Sequence, residues 1–238
     1  MTEPFDPTAD LADSPRVARP QMRPRPAATL ILVRRDRSEP CVLMGRRAEG
    51  HVFMASKWVF PGGRVDRTDY RAPAASELKP KTAAMLMRGG SAGLARGLAL
   101  AAIRETFEEA GLLLAKRGAP RPGVGAWRPF LERGALPNLE PLDYIARAIT
   151  PPGRSRRFDA RFFMAEADAL LSLEREKDCG ELDEIAWIPL SETGDLDLPA
   201  ITRFVLSEVK ARVDGGATRS VPFVRFVRGK HDISYLER

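Results

Sequence analysis

Arg104-Glu105-Thr106-Phe107-Glu108-Glu109-Ala110-Gly111-Leu112 is the most informative stretch of the chain. Glu105, Glu108 and Glu109 stand at i, i+3 and i+4, so on a helix their three carboxylates share one face. Ala99, Ile103, Phe107 and Ala110 recur at helical spacing on the other side, which predicts a helix over about 94–110 with its apolar stripe in the core. Gly111 stands where helices commonly end in a left-handed residue. Like charges at this spacing repel by about 0.2–0.5 kcal/mol per pair on an exposed helix. The acids taken alone therefore read either as a solvated face or as a site for something cationic. An all-oxygen set suits a hard divalent ion such as Mg²⁺, which keeps waters and phosphate oxygens among its ligands. Arg104 is placed to hold Glu105 ionised and oriented.

Upstream, Lys57-Trp58-Val59-Phe60 reads as a short strand stopped by Pro61-Gly62-Gly63, and the glycine pair allows close backbone approach with carbonyls free to face a metal. Before it, Ala27 to Val33 predicts a buried strand, Arg34 to Ser38 a turn, and Cys41 to Met44 the hairpin partner. Residues 71–92 are broken by alanine, glycine and proline around a short helix at 82–88. Beyond Gly111 the pattern predicts a weak helix at 126–133, strands at 144–149, 161–165, 184–188 and 223–227, and a helix at 199–213 with Ile201, Val205 and Val209 on one stripe. Helices and hairpin-connected strands interspersed in this way favour one α+β domain over a doubly wound sheet. Residues 1–26 carry six prolines and read as a flexible leader, which puts the folded domain at 27–238.

The chain has 238 residues, 44% of them apolar and 29% charged, which is ordinary globular composition. Its net charge of +6 belongs to the folded part, because four acids cancel four arginines in the first 26 residues. The basic side chains are mixed with acids and aromatics are only 7%, so no nucleic-acid partner is expected. No run approaches the roughly 18 apolar residues that a membrane-spanning helix needs, so no membrane partner is expected either. Two cysteines, Cys41 and Cys179, make no disulfide framework, and a cytoplasmic setting is the simpler reading.

Gly63 together with Arg104 to Leu112 resembles the Nudix box, Gly-x5-Glu-x7-Arg-Glu-U-x-Glu-Glu-x-Gly-U with U aliphatic, and Thr106 is the one softer fit. Phe60-Pro61-Gly62-Gly63 strengthens the likeness. The resemblance implies an α/β/α sandwich around a mixed β-sheet. It also implies Mg²⁺- or Mn²⁺-dependent hydrolysis of a nucleoside diphosphate linked to another moiety. Carried over residue by residue, Glu105 and Glu109 are the principal metal ligands and Glu108 a further one, with the Gly62 or Gly63 carbonyl beside them. Arg104 becomes the orienter of Glu105. The general base falls to Glu105 or to an acid of the loop from Glu174 to Glu184, with Glu181 preferred.

Two departures stand out. Gly63 and Arg104 lie 41 positions apart where the usual box has 14, so about 27 residues are inserted, at about 67–92. Counting back from Arg104, the place of the box's first glutamate holds Arg96, so that glutamate is either absent or replaced by a carboxylate such as Glu77 or Asp66.

The stretch Arg46 to Gly63 half-matches the motif that precedes the box in coenzyme A diphosphatases: Arg47 and Ala48 fit it, Val52 and Ser56 do not. The inserted box and the run Arg156-Arg157-Phe158-Asp159-Ala160-Arg161-Phe162-Phe163 are similar to acyl-coenzyme A diphosphatases with a long insertion in the box. The implied substrate is CoA or acyl-CoA, cut to 4′-phosphopantetheine (or its acyl form) and 3′,5′-ADP. Arg46, Arg47, Arg156 and Arg157 are the candidates for binding its phosphates. The alternatives are an ADP-ribose- or NADH-type pyrophosphatase and a non-catalytic Nudix-fold binding module. The implied partner is a small nucleoside diphosphate compound, and homodimers are frequent in the family.

Overall fold

Strand β1 (Arg25–Arg34) runs through the middle of the main sheet and is apolar on both faces. Leu30 and Leu32 enter one core and Ile31 and Val33 the other, all four without solvent exposure. The structure is a computed structural model and describes residues 22–46, 57–176, 182, 184–215 and 220–236. After β1 come β2 (Cys41–Arg46), β3 (Trp58–Val59), β4 (Gly62–Arg64), α1 (Pro80–Met87) and α2 (Ala92–Ala110). They are followed by β5 (Ala115–Arg117), α3 (Arg128–Glu132), β6 (Ala135–Pro137), β7 (Asp143–Ile149) and β8 (Phe158–Glu166). β9 (Glu184–Pro189), α4 (Ala200–Val213), β10 (Val221–Val227) and β11 (Lys230–Leu236) complete the chain.

The strand order is β11-β10-β7-β8-β1-β2-β3, with β4 also paired to β1 and β9 to β2, while β5 and β6 form a separate ribbon. β1 runs parallel to β8 and β7 parallel to β10, and the remaining pairs are antiparallel. The sheet is therefore mixed. Helices α1 and α2 cover the Leu30 face, and Phe204, Val205, Leu206 and Val209 of α4 cover the other. This is the α+β, α/β/α sandwich that the sequence led one to expect.

Helix α2 sets the position of the acids. The Ser91 side chain caps its start by accepting from the Leu94 N–H at 3.2 Å, and Gly111 ends it at φ 68°. Ala99, Ile103 and Ala110 are wholly buried and Phe107 nearly so, which confirms the stripe. β1 begins at Arg25, two residues before the expected Ala27, because the Arg25 N–H donates to the Arg157 carbonyl at 3.0 Å and extends the pairing with β8. The insertion is packed against the core rather than looped out. Its helix α1 starts at Pro80, whose missing N–H costs nothing at a first helical position, and buries Thr82, Met85 and Leu86. Arg96 of α2 pins the segment by pairing with Glu77 at 3.0 Å and donating to the Ala72 carbonyl at 2.9 Å. Strand β11 and the β5–β6 ribbon were not foreseen. The ribbon strands have three residues each, too few to display a period, and β11 is a polar edge strand paired only with β10. Among the described residues no helix is long and apolar enough to cross a membrane.

Candidate active site

The last two turns of α2 meet the Pro61-Gly62-Gly63 bend. The Gly62 N–H donates to the Glu109 carboxylate at 2.8 Å. A Cβ built on Gly63 would overlap the Glu105 carboxylate, and one on Gly62 would lie 2.6 Å from the Ala28 carbonyl. Both glycines are thus required by close approach: strand β4 lies against β1 on one side and against the acids on the other. Glu105 and Glu109 are largely buried, whereas the Glu108 side chain keeps 28% exposure.

Arg104 gathers the cluster. It is 4% exposed, and its guanidinium contacts Glu105 at 3.0 Å, Glu108 at 2.6 Å and the Arg64 carbonyl at 2.9 Å. Its remaining edge makes a two-pronged pair with Asp69, Nε to Oδ1 at 2.8 Å and Nη2 to Oδ2 at 3.1 Å. Burial by itself would lower the Arg104 pKa. The hydrogen bonds to Asp69 and the charges of Glu105, Asp69 and Glu108 outweigh it and raise the pKa above its ordinary value. The residue is a fixed cation. Its guanidinium lies against both Glu105 and Glu108.

Asp69 corrects the sequence reading. It is fully buried, and besides Arg104 it accepts from the Trp127 indole N–H at 2.9 Å and from the Asp66 N–H at 2.7 Å. It stands six positions after Gly63, the place the box gives its first glutamate when counted forward from the glycine. Neither Glu77 nor Asp66 takes that place: Glu77 pairs with Arg96, and the Asp66 carboxylate accepts from the Thr68 hydroxyl at 2.6 Å and N–H at 2.8 Å. Backward counting misled because the extra residues follow this acid instead of preceding it. A ring of contacts then closes. Trp127 packs edge-on to Phe130 at 5.2 Å and Phe130 to Phe107 at 5.3 Å, so the box helix holds the indole that holds Asp69. Thr106, the soft fit at an aliphatic place, is buried because its hydroxyl donates to the Ala102 carbonyl one turn back at 2.8 Å.

The donor set has the chemistry of a divalent-ion site. Asp69, Glu105 and Glu108 surround the Arg104 guanidinium and Glu109 meets the Gly62 N–H, and the three glutamates bring hard oxygen donors of the kind Mg²⁺ or Mn²⁺ takes. Among the described residues no three acidic, His or Cys side chains stand together as a group that could hold a metal ion as they are placed. The reason is visible in the pairing: Glu105 and Glu108 are drawn to Arg104, and Glu109 to the Gly62 N–H. The residues fit an ion that is completed by waters and phosphate oxygens, as a Mg²⁺ site usually is.

The other candidates divide. Arg156 and Arg157 line an open cleft of about 340 Å³ with Met22, Arg23, Arg25, Arg64, Ser155 and Phe158. Arg157 also braces the chain there, donating to the Thr150 carbonyl at 3.0 Å and the Met22 carbonyl at 2.8 Å. Arg46 lies outside this cleft and pairs with Glu184 across β2 and β9 at 2.9 Å. Arg47 and Glu181 fall outside the described residues. Sequence reasoning did not single out Arg23, Arg25 or Arg64, and only the pairing of β1 with both β4 and β8 brings them beside Arg156.

A sequence profile described as the NUDIX domain matches residues 23–207. The chain belongs to the Nudix family. An acyl-coenzyme A diphosphatase, NUDT19 of Gallus gallus, is 29% identical over an alignment covering 52% of this chain and 48% of that protein. A putative nudix hydrolase 7 of Caenorhabditis elegans is 27% identical, covering 72% of this chain and 53% of the relative. The chain thus spans about half the length of the curated relatives it matches. Among solved structures, a NUDIX hydrolase from Alicyclobacillus acidocaldarius superposes with a TM-score of 0.55 at 28% identity, covering 78% of this chain and 90% of that one. The Nudix membership accounts for the sandwich and for the box helix α2.

Proposed function

We propose that this Nudix protein hydrolyses the diphosphate of nucleoside diphosphate-linked compounds, with CoA or acyl-CoA as substrate and 4′-phosphopantetheine (or its acyl form) and 3′,5′-ADP as products. The observation that carries the reading is the gathering of Glu105, Glu108 and Glu109 at Arg104 and the Gly62–Gly63 bend. The preference for CoA is supported by the likeness to the acyl-coenzyme A diphosphatase and by the arginine cleft.

In this reading Glu105, Glu108 and Glu109, with the Gly62 or Gly63 carbonyl, hold Mg²⁺ or Mn²⁺. Bound there, the ion would neutralise the diphosphate, acidify a water and offset charge on the leaving phosphate. Arg104 keeps Glu105 ionised, so that Glu105 can accept the proton of the attacking water. Asp69 fixes Arg104, and Trp127 fixes Asp69, so the carboxylates are positioned before substrate arrives. Gly63, lacking a side chain, lets the substrate's phosphates come close to the backbone at the point where the acids lie.

The test is to incubate the full chain with Mg²⁺ and, separately, CoA, an acyl-CoA, ADP-ribose and NADH, and to identify products by mass. Release of 3′,5′-ADP from CoA compounds with the highest kcat/KM is expected. Preference for ADP-ribose would overturn the substrate, and inertness on the whole panel would overturn the enzyme.

A further inference from the structure

The cleft beside β4 has a composition that the diphosphate alone does not explain. Five arginines (Arg23, Arg25, Arg64, Arg156 and Arg157) line it, and among the described residues no carboxylate does. They come from three separate places: the start of β1 and the residues before it, the end of β4, and the turn that leads into β8. Ala27 faces Arg64 in one pairing of β1, and Arg25 faces Phe158 in the other, so the sheet itself sets the distances between these groups. Concentrating five guanidinium groups in one cleft is repulsive unless an anion sits among them. Elsewhere in the fold Arg147, Arg161, Arg225, Arg96 and Arg35 all find carboxylates, whereas none of the described residues lining this cleft is acidic.

The cleft is also tied to the acidic site through one residue. Side chains alternate across a strand, so Gly63 turns toward Glu105 while Arg64 turns to the opposite face and into the cleft. The Arg64 carbonyl meanwhile accepts from Arg104. An acidic centre that needs cations and a basic cleft that needs an anion are thus joined by two consecutive residues, whose Cα atoms are about 3.8 Å apart. A diphosphate held at the carboxylates reaches that centre with its own cations. The cleft requires a different anionic group on the same ligand. Guanidinium forks match the oxygens of a phosphomonoester dianion, and Phe158 supplies an apolar wall of the kind a nucleoside ring can lie against.

We infer that this cleft binds an additional phosphomonoester of the nucleotide substrate, one carried on its ribose besides the diphosphate. The inference rests on the proposed hydrolase function for its substrate class, but it can fail independently. Arg157 is already fixed by two backbone carbonyls, and Arg23, Arg25, Arg64 and Arg156 supply further guanidinium donors. A substrate of this kind gains affinity from the cleft without any change in the chemistry at Glu105, so the cleft acts on KM.

The experiment measures binding without catalysis. In chelator, so that no divalent ion contributes, 3′,5′-ADP and 5′-AMP are titrated into the full chain by calorimetry, then into Arg23→Glu and Arg156→Glu. Both substitutions are at exposed positions, and thermal unfolding checks that each variant is folded. The expected result is that wild type binds 3′,5′-ADP at least tenfold more tightly than 5′-AMP, and that either reversal reduces this preference to under threefold. With Mg²⁺, the same reversals should raise KM for CoA and leave KM for CoA lacking its 3′-phosphate within threefold of wild type. Equal affinity of the wild type for the two nucleotides would overturn the inference, as would a preference that survives both reversals. If the inference fails in chelator while CoA is still hydrolysed with Mg²⁺, the proposed function stands and the cleft does not. If binding shows the preference while no diphosphate is cut, the reverse holds.

Discussion

Replacing Asp69 by Asn keeps the shape of a fully buried side chain and removes its charge. Four donors aim at the two oxygens: Nε and Nη2 of Arg104 at 2.8 and 3.1 Å, the Trp127 indole at 2.9 Å and the Asp66 N–H at 2.7 Å. An asparagine leaves one oxygen to accept and turns an NH₂ group toward the other donors. The Arg104 guanidinium then keeps its carbonyl and its two glutamates but loses the buried half of its compensation. Breaking a buried pair by removing one partner costs about 3–5 kcal/mol. At roughly 2–4 °C per kcal/mol for a domain of this size, the midpoint of thermal unfolding should fall by about 6–20 °C. Circular dichroism of D69N against wild type measures it. A double cycle with R104M separates the pair from its surroundings, and the double variant should be less destabilised than the sum of the singles by at least about 1 kcal/mol. A fall of less than about 2 °C, or strict additivity, would mean that Asp69 is not what fixes Arg104.

Other consequences can be measured directly. Gly63→Ala puts a methyl group into the Glu105 carboxylate, and the resulting displacement should cut kcat on a diphosphate substrate by roughly a hundredfold with the far-ultraviolet spectrum unchanged; an unaltered kcat would refute the close approach. Burial pushes the Tyr144 hydroxyl up to about 12, with Arg161 and Arg147 pulling the other way. Its folded pKa lies above the unfolded value of about 10, so the stability it contributes is intact below pH 10 and is lost as pH rises toward 12; absorbance titration should find one late-ionising tyrosine that Y144F abolishes. Burial also raises the Cys41 thiol, so peptide mapping after mild alkylation of the native protein should find Cys41 unmodified, and rapid labelling would contradict its place in the core.

Much of this arrangement was legible from residue spacing because a single period governs it. Glu105, Glu108 and Glu109 follow the helix repeat, Phe107 and Ile103 fall on the opposite stripe, and Gly111 ends the helix in the left-handed conformation, so α2 and its acids could be read from one segment. The cleft could not. Arg25, Arg64 and Arg156 meet only through strand pairings made across long sequence separations, and no local pattern encodes them. Asp69 lies between these cases. A forward count from Gly63 finds it, yet its importance comes from Trp127, which reaches it through the packing of Phe107 and Phe130. Arg46 illustrates the converse: it begins the stretch that half-matches the coenzyme A diphosphatase motif, yet in the fold it pairs with Glu184.

The proposed function assigns a divalent ion to the carboxylates at the Gly62–Gly63 bend, and Mn²⁺ titration followed by electron paramagnetic resonance tests that assignment with no substrate present. Wild type should bind Mn²⁺, and Glu109→Gln, which removes one negative charge beside the Gly62 N–H, should weaken the binding at least tenfold while remaining folded. Equal Mn²⁺ affinity in the two proteins, or none in either, would contradict the assignment of these residues to a metal.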